Sequence, residues 1–239
     1  MLRVADNEFE VLRRWGHGDF YPLNGDQRGA LDDLADEMAK HPDDWWKAFR
    51  KLLPEVDRAT TQNLSMPFGA LLRVGGERMW DHVAEAARSD RKIADAFWNA
   101  MYFEMLTGEA YRCLGRRMTI EAFVRHEPRL GMGLADEWED SWSGDVLFYL
   151  TKEDPDEAWA LALELLAIKD DPDWASTVGA FIIEELLHDR GDAFIDRIEA
   201  EAARNERLRM ALPTARWRVP DHLMVRARAA SGPYWNERS

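Results

Sequence analysis

DPDEAWALALELLAIKDDPDWASTVGAFIIEELLHDRGDAFIDRIEAEAARNERLRMAL, residues 154–212, is the stretch that decides the fold. Trp159, Leu163 and Leu166 recur at i, i+4 and i+7, and Val178, Ile182 and Leu186 at i, i+4 and i+8. Phe194, Ile195 and Ile198 continue the stripe. This is the 3.6-residue period of helices with one apolar face. Asp154, Pro155 and Asp156 stand before Glu157–Ile168, where short acids and a proline satisfy or dispense with the free N–H groups of a first turn. His188–Gly191 and Leu212 before Pro213 read as stops. Strict apolar–polar alternation is scarce along the rest of the chain, so strands are expected to be few or absent.

The same pattern occurs earlier. His-Pro-Asp-Asp-Trp-Trp (41–46) leads through Leu52-Leu53 to Ala70-Leu71-Leu72, Gly76, Asp81 and Glu85-Ala86-Ala87-Arg88. Asp-Pro-Asp-Glu-Ala-Trp (154–159) leads through Leu165-Leu166 to Glu185-Leu186-Leu187, Gly191, Asp196 and Glu201-Ala202-Ala203-Arg204. Anchors, glycine and charged run keep their order. The reading is a duplicated unit of three to four helices, approximately 40–97 and 153–212. In the first copy, stops are expected at Leu53 before Pro54 and at Arg73–Gly75. With no flexible linker in view, the expectation is one all-α domain over 1–239, packed as a HEAT-like array or an irregular bundle, with a last short helix at Asp221–Ala230.

The chain has 239 residues, 46% hydrophobic and 32% charged, which excludes a disordered polymer. The longest apolar runs, Ala158–Leu163 and Gly179–Ile183, fall far short of the ~20 residues of a membrane span. Met1–Glu10 contains Arg3, Asp6, Glu8 and Glu10, so no signal peptide is expected. A single cysteine, Cys113, cannot form an internal disulfide, and a reducing cytoplasm is its simplest home.

Net charge is −14. From Glu121 to Ala203 there are 22 acids against 6 bases, and from Arg204 to Ser239 8 arginines against 3 acids. An acidic segment of this size repels nucleic acid and steers cationic partners. Arg204, Arg207, Arg209, Arg216, Arg218, Arg226 and Arg228 are expected to dock back on it. Within it, Asp136, Glu137, Trp138, Glu139, Asp140, Trp142 and Asp145 put five carboxylates and two tryptophans into ten residues. Amphipathic aromatics beside charge suit interface hot spots, so these residues form the candidate partner-binding set. Trp45, Trp46, Trp80, Trp98, Trp159 and Trp174 lie on or beside apolar stripes and read as core.

Chemistry-bearing motifs are sparse. Glu185-Leu186-Leu187-His188 is a Glu-x-x-His pair, but a di-iron bundle uses two and none of His17, His41, His82, His126 and His222 has a Glu three residues before it. One Cys and six scattered His give no zinc spacing. Asp32-Asp33 and Asp36-Glu37 read as a solvated helix face. The acidic run 136–145 does not match a calcium-binding loop. No catalytic residue, metal or cofactor is therefore assigned.

The stretch Trp159–Leu212, with Glu184-Glu185-Leu186-Leu187, Gly191-Asp192-Ala193-Phe194-Ile195-Asp196-Arg197-Ile198-Glu199, Ala203, Arg207 and Leu212, resembles a bacterial family of small helical proteins of unknown function. Residues 46–97 match it more loosely. The resemblance implies an all-α fold and a bacterial cytoplasmic origin, and nothing about activity. The expected function is a cytoplasmic protein-binding module, an immunity or adaptor protein that sets an acidic surface against a basic protein partner, with no nucleic acid or membrane involved. The alternatives are an enzyme whose site is assembled from scattered residues, and an acidic structural or DNA-mimicking helical protein.

Overall fold

The computed structural model describes residues 7–17, 26–130, 140–215 and 218–235. The protein is all-α, and among the described residues there is no strand. No described helix is long and apolar enough to cross a membrane. The chain divides into two compact units, Met1–Trp142 and Ser143–Ser239.

The first unit contains α1 (Asn7–Gly16), α2 (Asp26–Lys40), α3 (Pro42–Leu52), α4 (Arg58–Ala87), α5 (Arg91–Phe103) and α6 (Thr107–Leu130). Asp57 and Asp90 cap α4 and α5 by accepting from the backbone N–H groups of Thr60, and of Lys92 and Ile93. α4 is broken at Gly76, whose φ of 60° is open to glycine and disfavoured for other residues. Trp80 Nε1 donates across the break to the Leu72 carbonyl at 2.8 Å, satisfying a terminal acceptor. The part after the break runs back. Lys92, at the start of α5, donates to the carbonyls of Pro54 and Val56, whereas Glu104 at its end reaches Arg73. α5 therefore lies parallel to the first half of α4. Trp46, Phe49 and Phe68 close the core between α3 and α4, with Phe49 and Phe68 ring centres 4.7 Å apart.

The second unit contains α7 (Trp142–Glu153, from its second residue), α8 (Pro155–Ile168), α9 (Pro172–Val178), α10 (Glu184–Ala202), α11 (Glu206–Ala211) and α12 (Asp221–Ser231). A π-helical turn, Gly179–Ile183, joins α9 to α10. Asp154, Asp171 and Asn205 cap α8, α9 and α11 through their side chains. α10 breaks at Arg190, φ −137° and ψ 21°, inside the stop expected at His188–Gly191. Trp159 packs on Phe194, and Trp174 donates its indole N–H to the Leu165 carbonyl at 2.7 Å.

Residues 40–97 thus hold α3, the broken α4 and the capped start of α5. Residues 153–212 hold α8, the run α9–α10 broken at Arg190, and the capped α11. The order corresponds, but helix lengths differ: 11 residues in α3 against 14 in α8, and 13 in α5 against 6 in α11.

Gly179 sits where the π-helical turn meets the end of α11. A Cβ there would lie 2.2 Å from Thr214 Oγ1 and 2.3 Å from the Ala211 carbonyl oxygen. A Cβ at the exposed Gly29 of α2 would touch nothing within 4 Å. Gly179→Ala is therefore expected to lower stability by about 1–3 kcal/mol, and Gly29→Ala to raise it by about 0.5–1 kcal/mol. Urea unfolding of the two variants checks both signs.

Candidate partner-binding surfaces

In the second unit Arg204, Arg207, Arg209, Arg218 and Arg226 of the expected set meet the acidic segment, and Arg216 lies outside the described residues. Arg226 of α12 bonds Asp196 at 2.6 Å and Glu199 at 2.5 Å, both on α10. The Arg218 guanidinium reaches the buried Glu185 at 2.7 Å, and its backbone N–H donates to the buried Glu184 at 3.2 Å. Arg207 donates to the Leu166 and Ala167 carbonyls, and Arg209 to the Ala202 carbonyl. These are last-turn acceptors of α8 and α10, where cations are favoured by the helix dipole. Arg218 and Arg226 thus hold four of the seven carboxylates of α10, and Arg207 and Arg209 cap two helix ends.

Much of the acidity remains outside. Between Glu153 and Asp173 there are eight carboxylates and one lysine. Glu153, Asp154, Asp156, Glu164, Asp170, Asp171 and Asp173 are exposed. Lys169 lies over the Trp174 ring, 4.2 Å from its centre. Asp156 pairs with Arg197, and Asp170 lies 3.5 Å from Arg207. Asp170, Glu201, Arg204, Asn205, Glu206 and Arg207 line an open cleft of about 480 Å³.

The residues singled out from sequence part company. Asp136, Glu137, Trp138 and Glu139 lie outside the described residues. Asp140 is 1% exposed, held by Arg125 at 3.1 and 3.2 Å and by Arg91 at 2.5 Å. Trp142, also 1% exposed, packs against Trp98 with ring centres 6.3 Å apart. Neither offers surface to a partner; both hold the first unit together. Asp145, in the first turn of α7, is exposed. The core tryptophans are placed as read, with Trp80 half-buried and the others buried.

Few groups are arranged for chemistry. Ligand atoms of Glu185, His188 and Asp189 lie within 4.8 Å of one another. Glu185 is already bound to Arg218, and His188 Nδ1 stands 2.6 Å from Asp189. A carboxylate neutralised by an arginine is a poor start for a cation site. Cys113 is half-buried, and that burial pushes its thiol up against the opposing pull of Arg112, the reverse of what a nucleophile needs. Asp32, Asp33, Asp36 and Glu37 form an exposed face of α2.

Sequence reading passed over a different feature. Tyr102, Phe103 and Met105, at the end of α5, are 58%, 60% and 87% exposed. The signal was present as Tyr-Phe-Glu-Met just before Thr107-Gly108, large apolar residues next to a helix stop.

Residues 132–232, about two-fifths of the chain, match the model of a family of unknown function (DUF6869). The resemblance read from Trp159–Leu212 falls inside that span. No curated protein and no solved structure matches the chain.

Asp140→Asn keeps the side-chain size and leaves Arg91 and Arg125 facing each other. Those arginines are 35% and 39% exposed, so water recovers part of the loss. The expected cost is about 2 kcal/mol, below the roughly 3–5 kcal/mol of a fully buried pair. Glu153→Gln, on the surface of α7, should stay within about 0.5 kcal/mol of the parent. Urea midpoints compared at one salt concentration decide it.

Proposed function

We propose that the protein is a cytoplasmic protein-binding module of bacterial origin, an immunity or adaptor protein that docks a basic protein partner. The observation that carries this reading is the acidic surface of α8 and α9, which stays exposed after the tail arginines have taken their partners. Exposed charge of one sign raises the encounter rate with a partner of the other sign and discourages nucleic acid. A basic protein, such as an enzyme that itself binds nucleic acid, fits that surface. Asp145 remains in the set, with 136–139 beside it in sequence. The same reading takes residues 40–97 and 153–212 as two copies of one helical unit. It is supported by the shared element order and by breaks at Gly76 and Arg190, the latter adjoining the glycine that aligns with Gly76.

The test is affinity purification of the partner from the source organism, followed by kinetics with the purified pair. Glu153→Gln, Glu164→Gln and Asp173→Asn together should slow association several-fold at low salt and flatten its salt dependence, with dissociation almost unchanged. A captured partner of acidic composition, or association indifferent to salt and to the triple variant, overturns the reading.

A further inference from the structure

We draw no further inference here: the strongest candidate, the cleft of about 350 Å³ lined by Arg88, Leu114, Arg117, Met118 and Glu121 beside the break of α6 at Gly115, has both of its arginines already paired, Arg88 with Glu85 and Arg117 with Glu121, so nothing in the structure shows what it would bind.

Discussion

The pairing of tail arginines with the carboxylates of α10 is the interaction on which the second unit depends. Asp196 and Glu199, three residues apart on α10 after its break, would repel each other, and Glu184 and Glu185 before the break are buried acids. Arg218 and Arg226 convert that repulsion into the attachment of the C-terminal segment, and Leu223 then packs so close to Gly191 that any larger residue would collide with it. Arg207 and Arg209 carry the same chemistry to the carbonyl ends of α8 and α10. One set of cations therefore offsets side-chain charge and helix dipoles together. Most of the acids around α8 and α9 are not reached by these arginines and are exposed.

The sequence made this much legible because the relevant signals are local. Helix starts at Pro42 and Pro155 follow from proline and acids in a first turn, and the breaks near Gly76 and Gly191 from glycine at the end of an apolar stripe. The docking of the arginine tail was readable from the charge balance of two adjacent segments. Asp140 and Trp142 were misplaced on the surface because what buries them is distant in sequence. Arg91 and Trp98 come from α5, more than forty residues earlier, and no periodicity announces that α5 will face this segment. Without those partners, an acid and a tryptophan in a polar run look like surface.

Met105 shows the complementary blind spot. Composition reports a methionine and two aromatics near a helix end, which is ordinary. Only the backbone reveals that methionine occupies a left-handed position suited to glycine. A glycine there would give a more relaxed helix end and a smaller apolar tip. Exposed large apolar groups on a rigid turn are a liability in an isolated monomer and an asset in a complex.

The acids of the second unit fall into two populations, one held by the tail arginines, which the fold needs, and one that they do not hold, which it does not. Urea unfolding of two charge-neutralised variants tests this division most directly. The account predicts that Glu185→Gln, Asp196→Asn and Glu199→Gln together lower stability by roughly 2 kcal/mol, most of it from the buried Glu185–Arg218 pair. It predicts that Glu153→Gln, Glu164→Gln and Asp173→Asn together leave the midpoint unchanged or raise it, because exposed like charges repel. Equal losses in the two variants, or a greater loss from the outer set, would contradict it.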